Sequence, residues 1–114
     1  MHELAVTQGI LKIALENAEK ANARQITGIN LLIGRLSSIV DDSIQFYWDI
    51  ISQDTPAAGA IIHIDRVPIE LKCGDCGNNY SPVLDDGFEC PKCQSARVTV
   101  IKGDELRVES IDIE

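Results

Sequence analysis

Two pairs of cysteines have the spacing of a metal site. They occur in the stretches CGDCG and CPKCQ, and thirteen residues lie between Cys76 and Cys90. Each C-x-x-C turn can direct two thiolates at one metal ion, and four thiolates complete a closed tetrahedron without an open position for a substrate. The pattern therefore predicts a structural zinc ion with four ligands: Cys73, Cys76, Cys90 and Cys93.

Other uses of four cysteines are two disulfide bonds, a C-x-x-C redox pair or a rubredoxin-like iron site. The N-terminus lacks the basic and apolar regions of a secretory signal, which favours a cytoplasmic protein whose thiols stay reduced. The C-x-x-C-G and C-P-x-C turns also occur in rubredoxins, and an acidic chain would suit an electron carrier. The spacer is short for that family, however, and aromatic residues are sparse. We therefore favour zinc, whose binding must supply folding energy to so small a module.

The first three residues, Met1, His2 and Glu3, form a second concentration of metal donors. The α-amine and the imidazole have ordinary pKa values of about 7.7–8.0 and 6.5, so both lose their protons near neutral pH. A divalent ion anchored on these two groups can displace the amide proton between them, and a tetragonal set of nitrogens suits Ni(II) or Cu(II) more than zinc.

Taken alone, this N-terminal signal is weak. A histidine near a terminus is more often a solvated residue at a helix start, and Glu3 is explained equally well as an acid in the first helical turn. His63 lies within a strand pattern, which indicates a packed or exposed strand residue rather than a ligand.

Length and charge limit the classes of function. The chain has 114 residues, of which 45% are hydrophobic, and no apolar run approaches the roughly 18 residues that a membrane helix needs. The net charge is −8 and no long segment is net basic, which argues against nucleic acid as a partner. We find no serine–histidine or cysteine–histidine pairing and no glycine-rich phosphate loop, so the sequence favours a protein that is not an enzyme.

Hydrophobic periodicity predicts an α+β fold in which a small three-stranded sheet packs with two helices. The first helix should bury a stripe of Leu4, Leu11, Leu15 and Ala18, widened by Ile10, Ala14 and Ala21. Asp41 or Asp42 should be the N-cap of the second helix. The predicted elements are a helix over 4–22, a strand over 25–34, a helix from about 41, and strands over 60–67 and 105–113. The predicted domains are an α/β domain of residues 1–69 and 104–114 and an inserted, zinc-ribbon-like domain of residues 70–103.

Four stretches together resemble the HypA/HybF family of hydrogenase nickel-incorporation proteins. They are the opening MHELAVTQGI, the segment INLLIGRLSSIV, the pair CGDCG…CPKC, and the tail VESIDIE. The resemblance covers essentially the whole chain. It implies a metallochaperone that delivers Ni(II) to the [NiFe]-hydrogenase large-subunit precursor and works with a HypB-type GTPase. Separately, the edge strands of so small a sheet pair easily between two copies, which allows a homodimer.

The resemblance also implies roles for individual residues. The nickel site of the family uses an N-terminal His-Glu pair, which corresponds to His2 and Glu3, with Met1 able to contribute its amine. The family's structural zinc uses the two cysteine pairs. Some members place histidines beside those cysteines, but this chain has none between residues 64 and 114. The alternative is a zinc-ribbon module that binds another protein.

Overall fold

The computed structural model describes residues 3–83 and 87–114, which form two helices and six strands. In chain order the elements are α1 (Glu3–Lys20), β1 (Ile26–Gly34), α2 (Asp41–Ile51), β2 (Ile61–Val67), β3 (Glu70–Cys73), β4 (Asn79–Tyr80), β5 (Val98–Lys102) and β6 (Leu106–Ile113). One sheet has the strand order β2-β1-β6 and the other has the order β4-β3-β5. The fold is therefore α+β, with a three-stranded sheet and two helices as predicted, and with a second small sheet around the cysteines.

The chain divides into two compact units. The first comprises the described residues up to Leu32 together with Ser38–Asp65 and Arg107–Glu114, and the second comprises Ile33–Ser37 and Arg66–Leu106. The first unit contains both helices, which contact each other, and the second contains all four cysteines. No helix in the described part of the chain combines the length and the apolar character that crossing a bilayer requires.

The buried side of α1 agrees with the predicted stripe at Ile10, Ala14 and Ala18 but not at its leucines. The fully buried positions are Thr7, Ile10, Ala14 and Ala18, whereas Leu4 is 40% exposed. The spacing is still helical, but small residues rather than leucines occupy the centre of the buried side. Because alanine side chains are short, they let the α1 backbone approach its neighbours closely, and the larger leucines lie at the edges of the contact.

The N-terminus of α2 also differs from the prediction. Asp41 is the first helical residue and Val40 is the N-cap, with the extended backbone angles φ −92° and ψ 119° and no side-chain capping bond of its own. The prediction that Asp41 or Asp42 is the N-cap is therefore wrong. Both acids lie in the first turn instead, where the positive end of the helix dipole favours a negative charge.

Strand β1 supplies the centre of its sheet, and its core side chains are aliphatic. The side chains of Ile26, Ile29, Leu31 and Ile33 are at most 1% exposed. From α2, Ile44 and Trp48 are fully buried, and the Trp48 indole N–H donates to the Ala57 carbonyl at 3.3 Å. The polar atom of this large side chain is thereby satisfied inside the core.

Two glycines allow a close backbone approach within the second unit. The N–H of Leu36 donates to the carbonyl of Gly103 at 2.8 Å, and the N–H of Gly34 donates to the carbonyl of Glu105 at 2.8 Å. A Cβ atom on Gly34 would lie 1.8 Å from the Gly103 carbonyl oxygen, and Gly103 itself has a φ of +114°. Only glycine fits at position 34 without a backbone displacement.

Candidate metal centre

The four cysteines converge on one point in the second unit. Their Sγ atoms all lie within 4.8 Å of one another, and the Cys73–Cys93 and Cys76–Cys90 pairs are each separated by 3.5 Å. Four sulfurs at about 2.3 Å from a tetrahedral zinc ion would be about 3.8 Å apart, so the sulfurs fit such an ion. Among the residues that the structure describes, this is the one group of three or more His, Cys, Asp or Glu side chains with such geometry.

The two cysteine turns are built in the same way. Cys73 donates its N–H to the carbonyl of Asn78 at 2.9 Å, and Cys90 donates its N–H to the carbonyl of Ser95 at 3.0 Å. In each turn the residue after the second cysteine closes the loop: Gly77 bonds the Cys73 carbonyl at 3.1 Å, and Gln94 bonds the Cys90 carbonyl at 2.7 Å. These closing residues share a left-handed backbone, with a φ of +74° for Gly77 and +62° for Gln94.

The first cysteine of each turn is buried and its thiolate is favoured. Cys73 accepts bonds from the N–H groups of Asp75 at 3.4 Å and Cys76 at 3.5 Å, and the Cys76 bond is the chief cause that lowers the Cys73 pKa. Burial raises the pKa of Cys90, but bonds from backbone N–H groups in its own turn, Cys93 first, outweigh burial and lower this pKa to about 6. Backbone donors therefore stabilise one anionic sulfur in each turn.

The second cysteine of each turn is exposed and has a raised pKa. The backbone N–H of Asn78 lowers the pKa of Cys76. The neighbouring thiol groups and burial raise it by a larger amount, so the pKa of Cys76 lies above its ordinary value. The backbone N–H of Ser95 lowers the pKa of Cys93, but the neighbouring thiols and burial raise it to about 12. Without a cation, four adjacent sulfurs resist complete ionisation because like charges repel, and a divalent metal removes that repulsion.

A side-chain network ties the first cysteine turn to the segment that follows the second. The Asp75 carboxylate accepts a hydrogen bond from the Ser95 hydroxyl and forms an ion pair with Arg97 at 3.3 Å. The Arg97 N–H donates to the Ser95 hydroxyl oxygen at 3.0 Å, and its carbonyl accepts from the Gly74 N–H at 2.6 Å. Ser95 and Arg97 were not predicted from the sequence. The opposite charges of Asp75 and Arg97 could have indicated the ion pair.

Of the predicted N-terminal metal donors, Met1 and His2 lie outside the described residues. Glu3 is the first residue of α1, where its carbonyl accepts a hydrogen bond from the Thr7 hydroxyl at 2.5 Å. Its carboxylate Oε1 accepts a bond from the N–H of Val40 at 3.3 Å. His63 is exposed on β2, in agreement with its interpretation as a strand residue. Within the first unit, Glu3 therefore lies beside the N-terminus of α2.

Known proteins of similar sequence show the family to which this chain belongs. Residues 1–113 match the family described as hydrogenase/urease nickel incorporation, metallochaperone, hypA. The chain belongs to the HypA family. The match extends over nearly every residue and confirms the resemblance drawn from the sequence.

Individual HypA proteins agree with this assignment. The hydrogenase maturation factor HypA of Dehalococcoides mccartyi is 43% identical over 114 residues, which cover all of this chain and 95% of the relative. The hydrogenase maturation factor HybF of Salmonella typhimurium is 37% identical, with both chains covered completely. The solution structure of the Ni metallochaperone HypA from Helicobacter pylori has a TM-score of 0.70 and 25% identity, and covers 99% of this chain and 97% of its own.

Proposed function

We propose that this HypA protein carries Ni(II) to the large-subunit precursor of a [NiFe]-hydrogenase during maturation. The observation that carries the proposal is the family match over residues 1–113, whose description is nickel incorporation. The Helicobacter pylori protein of similar structure is itself described as a nickel metallochaperone. We infer a cytoplasmic carrier rather than an enzyme, which receives or releases nickel together with a HypB-type GTPase and is able to form a homodimer.

The proposed nickel ligands are Met1, His2 and Glu3. The α-amine, the His2 amide and the imidazole would supply nitrogen donors in fused chelate rings, which suit the tetragonal preference of Ni(II). Glu3 follows His2 directly in the sequence, so its amide and carboxylate would be available to the same ion. Protonation of His2 or of the amine would weaken the chelate, which gives the carrier a route to release its cargo.

The proposed ligands of a structural zinc ion are Cys73, Cys76, Cys90 and Cys93. The close approach of the four sulfurs supports this role, as does the burial of Cys73 and Cys90. A four-thiolate site is closed, so the ion would stabilise the fold and would leave no position for a substrate. In this proposal residues 70–103 form the zinc domain, and residues 1–69 and 104–114 form the nickel domain.

The proposal is tested by titration of Ni(II) into zinc-loaded protein that has its native N-terminus. We expect one nickel per chain near neutral pH, with a d–d absorption band typical of nitrogen-rich Ni(II). His2→Ala and a variant extended by two residues before Met1 should each lose this binding while they retain their zinc. His63→Ala is the matched control and should bind nickel as the wild type does. Equal nickel binding by all four proteins would refute the N-terminal site.

A further inference from the structure

Helix α2 has one buried side and one side exposed to solvent. Ile44 and Trp48 are fully buried and fix the helix on its own unit. The opposite side follows the spacing i, i+4, i+7 and i+8 along the helix, which places its residues on one face. We call this face the outer face of α2, and its residues, all exposed, are Asp42, Phe46, Asp49 and Ile50.

Two large apolar side chains lie side by side at the centre of the outer face. Phe46 is 61% exposed and Ile50 is 51% exposed, and these side chains lie one helical turn apart. The Phe46 ring contacts the edge of the half-buried Tyr47 ring, with centroids 5.4 Å apart. Although the chain has only two phenylalanines, Phe46 remains outside the core. Exposed aromatic and aliphatic side chains side by side are typical of a surface that binds another protein.

The outer face is also held in place, so little ordering would be needed on binding. The Gln45 side chain donates to the Asp49 carboxylate at 2.8 Å and accepts from the N–H of Ile62 at 2.9 Å. Trp48 anchors the same turn through its bond to Ala57. A rigid surface loses less conformational entropy when a partner docks.

The charge of the segment that carries the apolar centre has a single sign. No lysine, arginine or histidine occurs from residue 41 to residue 62, whereas that segment contains four aspartates. Within residues 3–83 and 87–114, Asp42 and Asp49, the two aspartates on the outer face, have no ion-pair partner. A partner that places cations on either side of an apolar stripe would complement this face in both respects.

We propose that the outer face of α2 is a docking site for a basic amphipathic helix of another protein. The partner helix would place aliphatic side chains at i, i+3 or i+4 against Phe46 and Ile50, and lysine or arginine beside Asp42 and Asp49. A second copy of this chain fits poorly, because two outer faces would bring aspartates together in a protein whose net charge is −8. None of the outer-face residues is a proposed metal ligand, so the inference does not depend on which metal the protein carries.

The first test uses a defined probe, a fluorescently labelled 18-residue peptide of leucine and lysine with the leucines at helical spacing. Fluorescence anisotropy at low salt should show saturable binding to the wild type. Phe46→Ser should weaken binding at least tenfold, and Asp42→Asn/Asp49→Asn should reduce both the affinity and its dependence on salt. Ile13→Ser is the matched control, since Ile13 is 45% exposed on α1, and it should change the affinity less than twofold.

Three results would overturn the proposal: no binding by the wild type, equal binding by Phe46→Ser, or equally tight binding of a peptide with the same composition but no amphipathic period. Sedimentation of the protein alone tests whether a second copy of the chain occupies the outer face instead. A dimer that Phe46→Ser abolishes would assign the face to a second copy. Circular dichroism establishes that each variant is folded. Nickel titration of Phe46→Ser should match the wild type, so that failure of the docking site and failure of the nickel site are separate outcomes.

Discussion

The carboxylate of Glu3 accepts a hydrogen bond from the backbone N–H of Val40, with an Oε1–N distance of 3.3 Å. Val40 is the N-cap of α2 and has no side-chain capping bond of its own. The first residue of α1 therefore satisfies the N–H of the N-cap of the second helix, as the glutamate of a capping box does within one helix. If Glu3 is also a nickel ligand, as we propose, the cargo and the start of α2 share one side chain.

This shared role predicts different results for two substitutions of Glu3. Glu3→Ala should lower the free energy of unfolding of the metal-free protein by about 1 kcal/mol and speed hydrogen exchange at Val40, because the capping acceptor is lost. Glu3→Gln keeps a carbonyl oxygen that can accept the same bond, and should stay within a few tenths of a kcal/mol of the wild type. Denaturant titration and amide exchange by NMR measure both effects. Equal Val40 exchange in all three proteins would show that the bond contributes nothing to capping.

The close approach at Gly34 predicts a strong effect of one methyl group. Gly34→Ala would place its Cβ 1.8 Å from the Gly103 carbonyl oxygen, so the backbone must move and stability should fall by about 3 kcal/mol or more. Gly9→Ala is the matched control, because Gly9 lies within α1 and a Cβ there meets nothing within 4 Å. It should raise stability by about 1 kcal/mol through helix propensity. Thermal unfolding followed by circular dichroism compares the two, and similar shifts would contradict the Gly34 geometry.

The left-handed residues that close the two cysteine turns predict that a glycine stabilises its turn and that an alanine destabilises it. Gln94→Gly should stabilise the metal-bound second turn, since a φ of +62° costs glutamine about 1 kcal/mol that glycine avoids. Gly77→Ala should destabilise the first turn by about 1 kcal/mol, because its φ is +74°. The rate at which a chelator removes the metal should fall for Gln94→Gly and rise for Gly77→Ala. A faster loss from both variants would argue against equivalent turns.

The lowered pKa of Cys90 predicts how the metal centre responds to acid. A thiol pKa lowered from 9.0 to about 6 stabilises the folded protein fully above pH 9, and this contribution is lost as the pH falls through about 6. In the metal-free protein, the ultraviolet absorbance of the Cys90 thiolate should therefore persist down to about pH 6 and disappear below it, and Cys90→Ser should remove this step. A wild-type titration with no thiolate left at pH 7 would contradict the lowered pKa of Cys90.

Hydrophobic periodicity was sufficient to predict the longer elements. The helix over 4–22 and the strands over 25–34, 60–67 and 105–113 correspond to α1, β1, β2 and β6. The prediction missed β3, β4 and β5, because two to five residues are too few to show a period and their pairing depends on the cysteine turns.

Other features depend on residues that are distant in sequence. The contact of Gly34 with Gly103 and the bond between Glu3 and Val40 each join segments that no local pattern relates. The cysteine spacing, in contrast, predicted the convergence of four sulfurs correctly, since each C-x-x-C turn determines the geometry of its own pair. The partners of that cluster, Ser95 and Arg97, became evident only when β5 brought them beside Asp75.

The equivalence of the two cysteine turns has a kinetic consequence. Each turn closes through its own two backbone hydrogen bonds, so each can act as a complete bidentate ligand before the other is engaged. A metal captured by one turn then meets the other at the effective concentration that a thirteen-residue tether provides, which is of millimolar order. Departure follows the same route in reverse, because a competing dithiol can replace one turn while the other still holds the ion. When a competing dithiol is present, the opening of a single turn therefore sets the lifetime of the bound metal. Without a competitor, both turns must open before the metal leaves.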